Sequence, residues 1–414
     1  MKKVYTLIFI TIISLQIHGQ CNGSRYRDFI FSDVDITTDI VYGSNLNYDG
    51  TTEELAMDIY RPAGDTEFNR PLIIVCHGGY FLGGDKGETD VVPMCTDFAK
   101  MGYVVASINY RVGIPIAVPL QGPYGQAVVR AVQDLRAAIR WFRRNTAEEG
   151  NTYNIDPNMI FVGGDSAGGF MALHHAYFDE DEIPSWLDME GTGMEGGMEG
   201  ESGNPGYSTD VTAIFSVSGA IGEAEWIDQD DNIPACLFHG DEDGTVTIDT
   251  DMFILFGLLE VTEISGSNPI SDKLDAAGTD YCYVINEGGG HVPYLGDEEV
   301  YNNTIALISY FFSHFVCDTP FDCNYSALTD DVSESTFSAY DLYPNPVAAG
   351  THIRSAKYLD QSEVLIHDAS GRLISSQFVN GFEIATPSAM SGGIYMITVK
   401  TQDTSSVFRI IVED

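Results

Sequence analysis

The sequence predicts two folded parts: an α/β domain with a mostly parallel central sheet and helices on both faces, followed by a small C-terminal β-sandwich. Between residues 40 and 315, apolar strand-like runs alternate with amphipathic helices, a pattern typical of a parallel sheet covered on both faces. A polar stretch without apolar periodicity, residues 326–338, is typical of a linker. Short alternating β-like runs then fill residues 339–414, which favours a small sandwich.

The chain begins with a segment typical of a secretory signal peptide, residues 1–20, in which two lysines precede a mostly apolar run. This run is too short, and too abruptly followed by polar residues, to anchor the chain in a membrane, and no transmembrane segment is predicted elsewhere. Cys21 follows directly, but Gln20 and His18 replace the small and Leu-like residues of a lipoprotein signal. Lipid attachment is therefore not predicted, and the α/β domain is expected over residues 21–325.

The elements of the α/β domain follow from apolar periodicity. The clearest helix covers residues 126–146, where apolar residues recur at intervals of three and four, so that one face packs on the sheet. Its arginines are expected mostly to face solvent: Arg136, Arg140, Arg143 and Arg144. The last helix, near 301–315, is apolar nearly all round and is expected to be largely buried. Strands are expected around residues 54, 73, 104, 161, 213, 236 and 283.

The most informative motif is the pentapeptide Gly-Asp-Ser-Ala-Gly at residues 164–168. It follows the apolar run 159–162 and precedes a helix-like segment, which is the strand–turn–helix context of a nucleophile elbow. Glycines two residues either side of the serine permit the tight turn, and the turn presents Ser166 Oγ above the strand ends. The motif alone is weak in a chain with 42 glycines among 414 residues, so partner residues must support it.

A nucleophilic serine needs a histidine that takes its proton and a carboxylate that orients the histidine. The apolar run near residue 236 leads into a polar loop in which Asp243 is the preferred acid, with Asp241 and Glu242 as alternatives. A second β-like run leads through three glycines to His291, the predicted base. The order Ser166, Asp243, His291 differs from that of the chymotrypsin and subtilisin folds.

An apolar run upstream ends in glycines that are candidates for an oxyanion hole. The backbone N–H groups of Gly78 and Gly79, together with that of Ala167 after the nucleophile, can bind the oxyanion of a tetrahedral intermediate. Four separate loops therefore converge on one predicted site.

Further candidates are less specific. Tyr80, Phe81 and Asp165 are candidate substrate-pocket residues; the two rings either narrow an acyl pocket or pack under the glycine loop. His77 and His239, each beside a glycine, are expected to have structural roles.

Residues 40–315 resemble the bacterial carboxylesterases of the α/β-hydrolase superfamily, close to the hormone-sensitive-lipase-like and type-B-like esterases. The resemblance lies in the segments 41–43, 55–62, 77–79, 102–111, 131–142, 164–168, 239–243 and 290–291. It implies ester hydrolysis without a cofactor or metal, with Ser166, Asp243 and His291 as the triad. The chain departs from the His-Gly-Gly-Gly of many lipase-like relatives, because Tyr80 replaces the third glycine.

The C-terminal segment resembles the type A sorting domain of the type IX (Por) secretion system. The resemblance lies in Pro-Asn-Pro at 344–346, Asp-x-x-Gly-Arg at 368–372, Gly-Ile-Tyr at 393–395 and a basic-apolar strand at 407–412. It implies export across an outer membrane by that machinery, to the cell surface or the medium. A carbohydrate-binding module is the alternative, and it is disfavoured because the segment contains no tryptophan.

Composition excludes some partners. Only 20 Lys and Arg stand against 61 Asp and Glu, a net charge of −41, which repels nucleic acid and anionic membranes. The acidic, Met- and Gly-rich stretch 178–209 is either a solvated loop or a mobile lid whose Met189, Met194 and Met198 touch substrate.

Seven cysteines are expected in an oxidising compartment. Cys317 and Cys323 enclose a short loop and are candidates for a local disulfide, whereas Cys76 in an apolar run is expected to be a buried thiol. No Cys/His spacing resembles a zinc site, so no metal is predicted.

The predicted function is hydrolysis of a small-molecule or polymer-linked ester through an acyl-serine. A serine peptidase of the same fold is one alternative, although such enzymes usually carry an added propeller or cap. A non-catalytic binding or adhesion protein on a hydrolase scaffold is the other. The sequence does not select the acyl group or the alcohol.

Overall fold

The structure is a computed structural model. It describes residues 20–21, 23–115, 117–319, 323, 342–343, 347–368, 372–388, 390–400 and 405–413. Most of the predicted signal peptide and the whole predicted linker, 326–338, lie outside the described residues. Contacts within the chain divide it into two compact units, Met1–Phe321 and Asp322–Asp414. Among the described residues, every helix is too short or too polar to cross a bilayer.

The first unit is built around an eight-stranded sheet. Its strands and the adjoining hairpin are β1 (Val34–Leu46), β2 (Thr52–Pro62), β3 (Arg70–Cys76), β4 (Val104–Ile108), β5 (Ile155–Asp165), β6 (Ala213–Val217), β7 (Ala235–Gly240), β8 (Thr250–Leu255), β9 (Leu259–Ser265) and β10 (Tyr281–Asn286). The sheet order is β1-β2-β4-β3-β5-β6-β7-β10, whereas β8 and β9 pair only with each other. The six strands β4, β3, β5, β6, β7 and β10, in sheet order, are parallel to one another. Strand β2 pairs antiparallel with both β1 and β4. This arrangement confirms the predicted α/β-hydrolase fold class.

The helices of the first unit are α1 (Val92–Lys100), α2 (Gln121–Glu148), α3 (Ala167–Tyr177), α4 (Ser267–Ala277) and α5 (Glu298–Cys317). Strands β3, β4, β6 and β7 are buried along their whole length, because the faces of a parallel sheet are both covered. On one face, Phe161 of β5 stacks on Phe312 of α5, with ring centroids 4.1 Å apart. Most residues between 304 and 315 of α5 are buried or half-buried, as expected for a largely buried helix, whereas residues 302, 303 and 306 are exposed.

The arginines of α2 differ from the prediction. Arg136 and Arg140 are 7% and 3% exposed, so the expectation that they face solvent is wrong. Arg140 donates from Nη1 to the carbonyl of Glu199 at 2.9 Å and from Nε to the carbonyl of Gly203 at 3.0 Å. These guanidinium groups are buried because the acidic stretch folds over them.

The acidic stretch is a packed part of the domain. Met194 and Met198 are 0% and 2% exposed and pack with Val129, Phe178 and Leu187. The hypothesis of a mobile lid whose methionines touch substrate is therefore wrong for these two residues. The apolar side chains of the stretch form a small satellite core against α2.

A disulfide joins Cys21 to Cys317, at the end of α5, across 296 residues. The expected local bridge between Cys317 and Cys323 is therefore wrong: Cys21, almost three hundred residues away in sequence, lies beside the end of α5, a contact that spacing cannot reveal. Cys76, Cys95 and Cys236 are free and buried, as expected for Cys76.

The second unit is a mostly antiparallel sheet. Its strands are β11 (Leu342–Tyr343), β12 (Val347–Ala348), β13 (His352–Asp368), β14 (Leu373–Ala385), β15 (Gly393–Lys400) and β16 (Ser405–Glu413). They follow the order β11-β13-β15-β16-β12, and β14 also pairs with β13. Apolar side chains such as Ile366, Ile397 and Ile410 form its core. Arg372 Nε donates to Asp368 at 3.0 Å within the predicted sorting motif, whereas Gly371 and residues 344–346 lie outside the described residues.

Candidate active site

Ser166 occupies the turn between β5 and α3. Its φ of +51° is uncommon for a residue with a side chain, and its N–H donates to the carbonyl of Val217 at 2.8 Å. The turn passes against the end of β3: a Cβ on Gly164 or Gly168 would stand 2.2 or 2.0 Å from the carbonyl oxygen of Cys76. Both glycines are therefore required by close approach of the backbones.

The structure brings Ser166, His291 and Asp243 together. His291 Nε2 lies 2.9 Å from Ser166 Oγ, and His291 Nδ1 lies 2.8 Å from Asp243 Oδ2. A carboxylate only accepts hydrogen bonds, so Nδ1–H donates to Asp243 and leaves the Nε2 lone pair directed at the serine hydroxyl. The Asp243 side chain is fully buried, while that of His291 is 22% exposed.

The Asp243 carboxylate is held by several donors. Its Oδ1 accepts the backbone N–H groups of Thr245 and Val246, both at 2.9 Å. Burial alone would raise the pKa of Asp243, but hydrogen bonds from His239, His291 and the backbone outweigh it and hold the pKa well below its usual range. These contacts favour the ionised form of Asp243 at the end of the hydrogen-bonded series Ser166–His291–Asp243.

The two alternative acids lie elsewhere. Asp241 accepts the N–H of Gly288, and the Glu242 N–H donates to the carbonyl of Gly289 at 2.9 Å. Both residues therefore stabilise the glycine loop that carries His291. The side chain that reaches the imidazole is that of Asp243.

The histidines expected to be structural lie beside the site. His77 Nδ1 donates to the carbonyl of Gly78 at 2.6 Å, and its ring stacks on Tyr110 with centroids 4.2 Å apart. His239 bridges the hydroxyl of Ser267 and the carbonyl of Val246 at 2.8 and 3.0 Å. Neither ring contacts the Ser166 hydroxyl in the described hydrogen bonds.

The candidate oxyanion loop, residues 77–81, lies directly against the elbow. A Cβ on Gly78 would stand 3.5 Å from Ser166 Cβ, and one on Gly79, whose φ is +115°, would stand 2.1 Å from the carbonyl oxygen of Gly83. A side chain at position 79 would therefore collide with the loop itself. A Cβ at position 78 would crowd Asp165 Oδ2 at 3.0 Å and touch Ser166, so glycine leaves the most room beside the serine.

The two rings that follow take different positions. Phe81 is 1% exposed and packs against Tyr110, Tyr124 and Phe170, under the loop. Tyr80 is partly buried and packs on Phe256, at the tip of the β8–β9 hairpin, with centroids 5.1 Å apart. Tyr80 thus links the oxyanion loop to a hairpin that the sequence did not predict.

A cavity of about 390 Å³ runs beside α3, starting one helical turn after Ser166. Phe170, whose N–H donates to the carbonyl of Ser166 at 3.0 Å, forms one end of the wall, and His174 follows a turn later. Its aromatic lining is Tyr124, Phe170, Phe178, Trp186, Trp226 and Phe253. The charged residues in the lining are all acidic: Glu223, Glu225 and Glu263. No sequence pattern predicted this cavity, because five separate segments contribute to it.

Comparison with known families agrees with this geometry. Residues 57–223 match the family model BD-FAE, and residues 341–413 match the secretion system C-terminal sorting domain. The first match includes the candidate oxyanion loop and the elbow. The second covers most of the C-terminal unit.

Individual relatives match over a part of their length. The fumonisin B1 esterase of Sphingopyxis macrogoltabida is 33% identical over 127 residues, 29% of this chain and 22% of that protein. Esterase-5C of Drosophila miranda is 28% identical over 141 residues, 34% of this chain and 24% of that protein. The chain thus spans about a quarter of the length of these curated relatives.

Solved structures match over a larger share of the chain. A truncated form of a carbohydrate esterase from gut microbiota is 21% identical, covers 69% of this chain and 97% of its own, and has a TM-score of 0.48. The apo form of Thermogutta terrifontis esterase 2 is 22% identical, covers 69% and 96%, and has a TM-score of 0.46.

Proposed function

We propose that this chain is an exported serine carboxylesterase that hydrolyses carboxylic esters through an acyl-enzyme on Ser166. One observation carries the proposal: Ser166, His291 and Asp243 are hydrogen-bonded in series at 2.9 and 2.8 Å. The BD-FAE family model, which matches residues 57–223, and the similarity to a fumonisin B1 esterase support the same activity.

In the first half-reaction, Ser166 Oγ attacks the ester carbonyl carbon while His291 Nε2 accepts the hydroxyl proton. The carbonyl electron pair moves onto oxygen, and this oxyanion accepts hydrogen bonds from the N–H groups of Gly78, Gly79 and Ala167. Asp243 keeps the imidazole in the required tautomer and stabilises the imidazolium. The intermediate then collapses, the C–O bond to the alcohol breaks, and His291 returns the proton to the departing alkoxide.

In the second half-reaction, water attacks the acyl-serine, with its proton taken by the same His291 Nε2. Collapse of the second tetrahedral intermediate releases the acid and restores the Ser166 hydroxyl. The histidine thus acts as base and then as acid in each half, and no other titrating group is needed for the proton transfers. Loss of one oxyanion donor typically costs about 2.7–4 kcal/mol of transition-state stabilisation.

The esterase proposal is tested with full-length protein and p-nitrophenyl acetate, butyrate, octanoate and palmitate, beside the S166A variant. We expect hydrolysis of at least the short esters by the wild type and a loss of about 10⁴-fold or more in kcat in the variant. S32A, a substitution of an exposed serine, is the matched control. Absence of hydrolysis of every ester by folded wild type would contradict the proposal and favour a binding role.

We further propose that residues 341–413 direct the chain to a type IX secretion machinery, after an N-terminal signal peptide has been removed. The match to the sorting-domain family supports this, as does the signal-like composition of residues 1–20. In a host with that machinery, the full chain should reach the surface or medium, whereas a chain ending at residue 325 should remain in the periplasm. Equal export of both would contradict this part of the proposal.

A further inference from the structure

The cavity beside α3 contains a buried hydrogen-bond acceptor that the mechanism above does not use. His174 lines the cavity and is 6% exposed. Its Nδ1 lies 2.8 Å from the carbonyl oxygen of Phe170, and because a carbonyl only accepts, Nδ1–H is the donor. Burial lowers the pKa of His174 to about 4, so the ring is neutral near pH 7 and its Nε2 carries a lone pair. Within the part of the chain that the structure describes, Nε2 accepts no hydrogen bond.

The surroundings of this acceptor are aromatic. The His174 ring is stacked parallel to that of Phe170, with centroids 6.1 Å apart. It meets the rings of Phe178 and Trp226 edge-on, at 5.8 and 5.9 Å. All three neighbours also line the cavity. A buried acceptor that no protein group satisfies is costly, so this position fits a ligand that donates a hydrogen bond.

Two glycines make room for the tryptophans of the cavity wall. A Cβ on Gly222 would stand 2.3 Å from the Trp226 ring, and one on Gly125, inside α2, would stand 2.8 Å from the Trp186 ring. Glycine is unfavourable inside a helix, so its presence at position 125 has a packing reason. Both tryptophan rings therefore occupy defined places in the wall. The face of an aromatic ring attracts cations, and tryptophan does so most strongly.

The rim of the cavity is negatively charged. Its charged residues are Glu223, Glu225 and Glu263, all of them exposed. Lys273 Nζ pairs with Glu225 at 3.3 Å, whereas Glu223 and Glu263 have no ion pair among the described residues. Two carboxylates without a cationic partner attract a positively charged ligand to the cavity and repel an anionic one.

We propose that this cavity binds a protonated alkylamine carried by the substrate, with an N–H group donating to His174 Nε2 and the alkyl chain packing on the aromatic wall. The inference rests on the proposed esterase function and deepens it, because it names a substrate class. An alkylammonium group fits all three features at once, since it donates hydrogen bonds, is attracted by aromatic faces and is cationic. A hydroxyl group fits only the first feature, and a carboxylate is repelled by the rim.

The length of the chain between the ester and the amine follows from the helix. His174 lies eight residues after Ser166, within α3, which corresponds to a rise of about 12 Å. An extended chain of roughly eight carbon atoms covers such a distance. The substrate class is therefore an ester whose acyl or alcohol chain has about this length and ends in an ammonium group.

The test measures kcat/KM of the full-length protein at neutral pH, where an aliphatic amine is protonated, on two matched sets of esters. The acyl set is p-nitrophenyl octanoate, 8-aminooctanoate and hydrogen suberate. The alcohol set is octyl acetate, 8-aminooctyl acetate and 8-acetoxyoctanoate. In the set whose chain enters the cavity, we expect the amine to be preferred about tenfold over the neutral ester, and the anionic ester to be the poorest substrate. Absence of a preference for the amine in both sets would overturn the proposal.

Variants assign the preference to the cavity. H174F keeps an aromatic ring but removes the acceptor, and it should reduce the preference for the amine over the neutral ester about tenfold. E223Q and E263Q change exposed positions and should each reduce the preference for the amine over the anionic ester about threefold. E260Q, on an exposed glutamate of β9 outside the cavity lining, is the matched control and should change neither ratio. Wild-type ratios in H174F, E223Q and E263Q would overturn the proposal.

A second measurement does not need activity. Two of the three tryptophans line the cavity, so tryptophan fluorescence of the full-length S166A protein reports ligand binding there. We expect hexylammonium chloride to bind at least about tenfold more tightly than 1-hexanol or sodium hexanoate, and H174F to remove this difference. Equal binding of the three compounds would overturn the inference whether or not the chain is an esterase. Preferential binding of hexylammonium by a protein that hydrolyses no ester would refute only the proposed function.

Discussion

At the scale of single residues, the candidate site depends on how Asp243 is held. Its carboxylate has two backbone donors and two imidazole neighbours, which hold its pKa well below the usual range of an aspartate. On the same loop, the Asp241 carboxylate accepts the N–H of Gly288, whereas Glu242 contacts the glycine loop through its own backbone N–H. Adjacent acids of this loop therefore differ in the contacts that they make.

This difference gives a direct prediction. D243N should lower kcat by about 10⁴-fold, because an amide in place of the carboxylate favours the wrong imidazole tautomer. D241N, which changes only the contact with Gly288, should stay within about tenfold of the wild type. Ester hydrolysis at neutral pH measures both. If D241N were the more damaging change, Asp243 would not be the acid of the triad.

The stability of these variants has a defined pH dependence. The pKa of Asp243 is lowered in the folded state, so its contribution to the free energy of unfolding is present above the ordinary aspartate range and is lost as pH falls toward the folded pKa. The stability difference between wild type and D243N should therefore be largest near neutral pH and shrink in acid.

The predicted site residues that the structure brings together are those with local signals in the sequence. The elbow, the two glycines and His291 each follow an apolar strand directly, so order along the chain was enough to bring them to one edge of the sheet. Phe256 carries no such signal. Its ring contact with Tyr80 depends on where the β8–β9 hairpin lies, which no apolar periodicity describes.

At the scale of elements, α2 shows where periodicity stops being informative. The spacing of apolar residues correctly predicted which face meets the sheet, but it could not show that the other face is covered as well. Side chains on and beside α2, among them Arg111, Gln133 and Arg140, donate hydrogen bonds to carbonyl groups of the acidic stretch. A glycine-rich loop has few side chains to pack, so these backbone contacts fix it.

We expect R140M to loosen the acidic stretch. The substitution keeps most of the apolar stem but leaves the carbonyl groups of Glu199 and Gly203 without their buried donor, which typically costs about 1–3 kcal/mol for each unsatisfied group. The thermal midpoint should fall, and limited proteolysis within residues 190–204 should become faster. K400M, on an exposed lysine of β15, is the control and should change neither. Unchanged cleavage in R140M would mean that the satellite core alone holds the stretch.

The cavity beside α3 gives a prediction about selectivity. Val128 of α2 lines it, so V128F should reduce its volume without touching the triad. If the cavity receives part of the ester, the ratio of kcat/KM on octanoate to that on acetate should fall about tenfold, a value typical of one or two lost methylene contacts. V41F, on an exposed valine of β1, is the control. An unchanged ratio would show that the cavity does not take part in substrate binding.

At the scale of the whole molecule, net charge opposes compaction. A charge of −41 over 414 residues produces mutual repulsion, which is stronger in the folded state than in the expanded chain. Salt shortens the range of this repulsion to about 3 Å at 1 M. We therefore expect the midpoint of thermal unfolding to rise between low salt and about 0.5 M NaCl. The same measurement is made in sodium sulfate at equal ionic strength. A midpoint that does not rise in either salt would show that charge repulsion has little effect on stability.

The disulfide between Cys21 and Cys317 acts on the whole domain, because it closes a loop of almost three hundred residues. Such a bridge restricts the unfolded chain, and removal of a native disulfide typically costs about 2–5 kcal/mol. We expect C21A, C317A and the double variant to lose the same free energy of unfolding, since each change removes the same single crosslink. Equal losses identify a crosslink effect, whereas additive losses would show that each side chain contributes by its own packing and that the bridge itself stabilises nothing. A covalent bond at Cys21 Sγ also leaves no thiol for a lipid, so intact mass should show an unlipidated chain beginning near Cys21.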